Sequence, residues 1–228
     1  DTVVLPADPA PVRQLSVTQL KNTLQDLFTD VELDLRYISI DTMDGFISEA
    51  QLQFPPENTI LGYDNNIVAN PPTPVGTDAL FSVAQAVSEQ VITTSPAVQA
   101  CNQDEVCHLE YLMTLAPRAW RHPLSATDKD DIEAIYTDAR SLLDPLDALD
   151  LSLQYLLLSP DFLYHLEYGT GSSESRPLSN HELSNRMSYL LWNTMPSSEL
   201  IQLAEEGWLH DPIFRENIAR IMLSDERA

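Results

Sequence analysis

The sequence predicts an all-α fold, an irregular bundle of about eight helices with a long ordered N-terminal loop region, and three observations carry that prediction. Glycine is scarce, six among 228 residues, against a usual level of about 7%, so turn-rich β architectures are disfavoured. Apolar residues recur at helical spacing along most of the chain, the mark of amphipathic helices. Cap signals, either capping boxes or Asp-Pro pairs, precede several of those runs.

Taken in order, Ser16 and Gln19 form a capping box, and Leu20, Leu24, Leu27 and Phe28 follow at helical spacing, which predicts a helix over 17–28. Residues 29–75 lack that spacing and read as a long ordered connection holding the alternating run Val31 to Ile40 and the motif Gly62-Tyr63-Asp64-Asn65-Asn66. Long connections of this kind are often functional. Thr77 is the expected cap of a helix carrying Leu80, Ala84, Val87 and Val91. A further helix is expected from about Gln103 to Ala116, with Val106, Leu109 and Met113 on one face, ending before Pro117.

Ser125 or Thr127 opens the next, with Ile132, Ile135 and Ala139 aligned. Asp144-Pro145 starts another, whose stripe is Leu146, Leu149, Leu153, Leu156 and Leu157. A short turn from Phe162 to Tyr164 leads to the Gly/Ser run 169–175, which has linker composition. Beyond it, the Ser179 to Glu182 capping box opens a helix with Leu183, Met187, Leu190 and Leu191 that ends near Pro196. Leu200, Leu203 and Ala204 mark a shorter helix closed by Gly207, and Asp211-Pro212 starts the last, with Phe214, Ile218, Ile221 and Met222. Trp192 and Trp208 are expected in the core. The organisation predicted is 1–75, an N-terminal helix plus long loop, 76–168, a helical domain, and 176–228, a C-terminal helical segment, packed around one leucine-rich core.

A net charge of −23 and a pI near 4.2 exclude nucleic acid and anionic membrane surfaces as partners, because both need clustered cations. The longest apolar run, Tyr155 to Leu158, is far below the roughly 20 residues of a membrane span, so direct insertion is not expected. The sequence opens on Asp1, which agrees with a signal peptide already removed. Cys101 and Cys107 read as a local disulfide outside a helix, and hence as an oxidising compartment. The alternatives are two reduced cysteines, or haem attached at Cys107 and His108, although the spacing fits the usual attachment motif badly. Zinc would need a second cysteine pair.

The tract Pro117 to Pro123 sets Arg118, Trp120, Arg121 and His122 together in an acidic chain. It could hold a carboxylate or sulfate, with Trp120 as a stacking face. The reading preferred is structural: arginines paired with acidic residues of neighbouring helices, and Trp120 in the core. Asp64 and Asn65 could ligate calcium, but an Asx-turn suits the motif better. The five histidines, His108, His122, His165, His181 and His210, show no helical metal spacing, and no metal or other cofactor is expected on this segment. Asp128, Asp130 and Asp131 read as a solvated face.

In order, the Gly62 motif, the cysteine pair, the stretch Arg118 to Leu124, the stretch Leu158 to Tyr164 and the stretch Leu183 to Trp192 resemble a recognisable series. It is that of large exported proteins of planctomycetes, myxobacteria and marine proteobacteria built from consecutive domains of unknown function. In words these are domains fifteen eighty-seven, resembled by Leu15 to Phe28, fifteen ninety-five, by Thr77 to Glu167, and the first half of fifteen ninety-two, by Leu178 to Ala228. His122 stands where the family often has a second arginine, and His108 where alanine is common. The resemblance implies an exported, longer polypeptide and an association with c-type cytochrome modules. The expected function is an extracytoplasmic structural or partner-binding module, its partner a c-type cytochrome, another protein or the remainder of its own polypeptide. The competing expectation is an extracytoplasmic hydrolase or oxidoreductase on environmental polymers, with Asp64, Arg118 and Arg121 lining the site.

Overall fold

The computed structural model describes residues 13–36, 38–40, 52–59, 70–169 and 176–228. Among them the chain is mostly helical: α1 (Val17–Leu27), α2 (Pro74–Thr94), α3 (Pro96–Cys101), α4 (Glu105–Trp120), α5 (Ala126–Arg140), α6 (Pro145–Leu158), α7 (Pro160–Leu163), α8 (Asn180–Leu191), α9 (Ser198–Glu205) and α10 (Pro212–Met222). Four short strands accompany them, β1 (Arg13–Gln14), β2 (Ile38–Ile40), β3 (Leu52–Phe54) and β4 (Tyr164–His165). β1 pairs antiparallel with β4, and β2 pairs parallel with β3.

The caps act as the sequence implies. Ser16 and Ser179 close reciprocal capping boxes with Gln19 and Glu182, and Ser125 does so with Asp128. Asp144 and Asp211 accept from the first free N–H groups of α6 and α10, and a proline at the first helical position needs no partner there. α6 is the central helix, packed against α2, α4 and α5. Its buried face is Ala148, Leu149, Leu153, Leu156 and Leu157, each leucine contributing about 1.5–3 kcal/mol by leaving water.

Several expectations are corrected. α4 runs through Pro117 to Trp120 because Ala119 and Trp120 are buried beyond the proline, and that packing outweighs the lost main-chain bond. α2 begins at Pro74, with Thr73 as the cap accepting from Gly76 N, earlier than the predicted Thr77. Cys101 and Cys107 are not outside helices; they end α3 and start α4, joined as a disulfide with Cα atoms 5.4 Å apart across the turn at Asn102. The single predicted core is two. The larger contains residues of α1 to α7 with Tyr189 and Met195, and the smaller is Trp192, Leu200, Ala204, Leu209 and Met222. Trp208 is 50% exposed, held outside the second core by a bond to Glu206, with its ring tilted against that of Phe214.

Candidate functional site

The site region is built where α4 ends. Arg121, the residue after the helix, takes the left-handed conformation at φ 61° and is only 3% exposed. Its Nη2 donates to the carbonyls of Asp161 at 2.5 Å, Phe162 at 2.9 Å and Tyr164 at 3.1 Å, and its Nη1 to the Tyr189 hydroxyl at 3.1 Å. The guanidinium also lies 5.5 Å from the Tyr189 ring centre and 5.9 Å from that of Phe162, within cation–π range. Arg118 donates to the Asp26 carbonyl in the last turn of α1 at 2.8 Å. Trp120 is core, its indole N–H donating to Leu156 O at 3.3 Å. The expected pairing of these arginines with acidic side chains is therefore corrected. They answer main-chain oxygens that helix ends leave without partners. Asp64 and Asn65 lie outside the described residues.

Around Arg121 a buried polar cluster joins the N-terminal helix to α8. Tyr189 shares a hydrogen bond with Thr23 of α1 at 2.9 Å, and His165 meets the Tyr189 ring edge-on at 4.4 Å between centres. Burial, then the positive charges of Arg121 and Arg13, holds the His165 imidazole down at about 3. The ring is neutral, with Nε2 donating to Gln19 Oε1 at 3.3 Å. His108, elsewhere, is fully buried between Tyr136 OH and Asn102 O, both nitrogens engaged.

Outside this cluster a polar cleft of about 480 Å³ opens between the ends of α4 and α7 and the first turns of α8. His122, Asp161, His181 and Asn185 line it. His122 stacks on Trp120 at 6.2 Å, its Nδ1 lies 3.0 Å from Pro123 O and its Nε2 3.4 Å from Asp161 Oδ1. Burial pushes the His181 imidazole down, opposed by Glu205. Glu182 at the cleft edge is pushed up by burial, but N–H bonds from Ser179, Gly169 and Tyr168 outweigh this and hold it below the usual carboxylate range. Asn185 Nδ2 donates to Arg121 O at 3.4 Å, and Asn185 Oδ1 is buried with no hydrogen-bond partner. Among the described residues no group of three His, Cys, Asp or Glu is placed to hold a metal ion.

A second concavity, about 670 Å³, is a groove between α5 and α6 reaching Phe81 of α2. Its apolar floor includes Phe81, 56% exposed, Leu142, 86%, and Leu151, 46%. Asp128, Asp131, Asp138 and Asp161 stand along it, and no Lys, Arg or His is among its described lining residues. Burial, then the charges of Asp131, Asp161 and Asp128, pushes the Tyr155 hydroxyl up. Sequence reasoning missed both concavities. Asp128 and Asp131 looked like an ordinary solvated face, and Asn185, a polar residue within α8, carries no local signal that its oxygen is buried.

Fold and site define an acidic, disulfide-bonded helical protein with two cores and a polar cleft between the end of α4, α7 and the start of α8. Residues 107–167 match the family model described as protein of unknown function (DUF1595), and residues 178–228 match that described as protein of unknown function (DUF1592). The chain thus carries consecutive domains of unknown function. His122 and Asp161 come from the first matched segment and His181 and Asn185 from the second. No curated protein and no solved structure matches the chain.

Proposed function

We propose that the chain is an extracytoplasmic partner-binding module of a larger exported protein, and that it docks a basic protein partner in the α5–α6 groove. A c-type cytochrome is the redox-linked candidate, and Leu15 to Phe28 is assigned to a domain of the fifteen eighty-seven type. The observation that carries the reading is an exposed apolar floor whose charged lining residues, among those described, are all carboxylates. Such a surface favours a partner with apolar contacts flanked by Lys or Arg, since like charge is rejected and opposite charge is steered in. The net charge of −23 extends the same field over the molecule. The Cys101–Cys107 bond supports an oxidising compartment.

The test is calorimetric titration of the chain with a basic c-type cytochrome at low and at physiological salt. Binding is expected to weaken with salt and to be lost in a Leu142→Gln/Leu151→Gln double variant. It should persist in Ile213→Gln, which changes an exposed apolar residue remote from the groove. Equal affinity in the groove variant and the parent, or no binding at either salt, would remove the proposal. The enzyme reading required Asp64 beside the two arginines, and the guanidinium groups of Arg118 and Arg121 are engaged by main-chain carbonyls.

A further inference from the structure

α10 is packed on one side only. Met222 is its one buried residue, and the Met222 carbonyl accepts from the Trp192 indole, which ties that side to the small core. At about 3.6 residues per turn, Ile213 precedes Met222 by two and a half turns and so lies on the opposite side. That outer side carries Ile213, 74% exposed, the exposed Asn217, and Ile221, 65% exposed. Trp208 before the helix and Leu223 after it are also at least half exposed. Apolar residues gathered in this way on a solvent face mark an interaction surface.

The outer face reads the same from both ends. Ile213 and Ile221 each stand four residues from Asn217. In an antiparallel pair of α10 helices with a two-fold axis at Asn217, Ile213 of each copy meets Ile221 of the other. The two Asn217 amides then face one another, each offering a donor and an acceptor. Along one flank Glu216 and Arg220, paired at 2.7 Å within the helix, stand in solvent. The same two-fold brings Glu216 of each copy beside Arg220 of the other, so symmetry extends the pair to four alternating charges. α10 carries two arginines and one glutamate in a chain of net charge −23, so two copies approach here without the repulsion that their acidic faces impose.

We propose that α10 is a self-association surface through which two copies of the chain pair antiparallel about Asn217. This goes beyond the partner-docking reading and uses another face, since no residue of α10 lines the α5–α6 groove. A contact built on one 11-residue helix from each copy falls at or below the roughly 1,000 Å² of a stable interface, so the dimer forms at high concentration and dissociates on dilution. Its salt dependence runs opposite to that of the groove. Moderate salt screens the long-range repulsion of two acidic bodies more than the close Glu216–Arg220 pairs, and favours self-association while it weakens docking of a basic partner.

Sedimentation equilibrium of the full chain from micromolar to near-millimolar concentration is the test. A monomer–dimer equilibrium is expected, stronger at moderate salt than at low salt. Glu216→Arg and Arg220→Glu each set like charges against one another across the axis, and each should weaken association at least about tenfold. An equal mixture of the two variants, and the double variant Glu216→Arg/Arg220→Glu, should both pair as the parent does, which shows that the single variants remain folded. Ile213→Gln should be monomeric and still bind the cytochrome, while Leu142→Gln/Leu151→Gln should still dimerise, so each reading can fail without the other. A parent monomeric at every concentration would give this face to another polypeptide and overturn the proposal. Single variants that associate as well as the parent, or a mixture that pairs no better than either alone, would do the same.

Discussion

Arg121 is a buried cation answered by three carbonyls and a phenol rather than by a carboxylate. Removing it leaves several buried oxygens without donors, each costing about 1–3 kcal/mol. Arg121→Met is therefore expected to lose about 3 kcal/mol or more in urea unfolding. Arg36→Ala, which breaks a solvent-exposed pair with Asp34, should leave the urea midpoint unchanged. His165 makes stability depend on pH in a defined direction. Its folded value of about 3 lies below the ordinary histidine value near 6.5, so between the two the unfolded chain binds the extra proton. The contribution is complete above about pH 6.5 and is lost as pH falls toward about 3. Thermal midpoints measured across that range should fall less steeply in His165→Gln than in the parent.

At the scale of elements, the disulfide staples the corner between α3 and α4. For a loop this short the chain-entropy contribution is about 2 kcal/mol, so Cys101→Ser/Cys107→Ser should lower the unfolding free energy by about that amount. A denaturant titration of the two forms checks it. The central helix is more sensitive still. Leu153 is fully buried in α6, and Leu153→Ala should cost about 2–5 kcal/mol by the same measurement. Helix starts were legible in the sequence because caps are local: Ser16, Ser125, Asp144, Ser179 and Asp211 all act where their types predict. Ends were less so, because what carries α4 past Pro117 is burial against distant helices, which no local pattern records. Of the site, the Arg118 to Arg121 tract was visible as a local excess of charge, but its partners are tens of residues away. The lining residues of the cleft, His122, Asp161 and Asn185, come together only where the end of α4 meets α7 and α8.

The molecule as a whole has a large core and a small one, joined through Tyr189 and the N-terminal helix. The small core has fewer buried side chains and should open at lower free energy. Amide exchange in α9 and α10 is expected to run faster than in α4 and α6, and a uniform rate across both would contradict the division. The net charge of −23 repels itself more strongly as salt is removed, so the thermal midpoint should rise with moderate salt. Arg121 has a consequence of another order. It holds α7 and Tyr164 through oxygens that every residue possesses, so the side chains of Asp161 and Tyr164 are not what fixes this turn to the end of α4. The side chain at position 161 can therefore change while the joint that carries it stays in place.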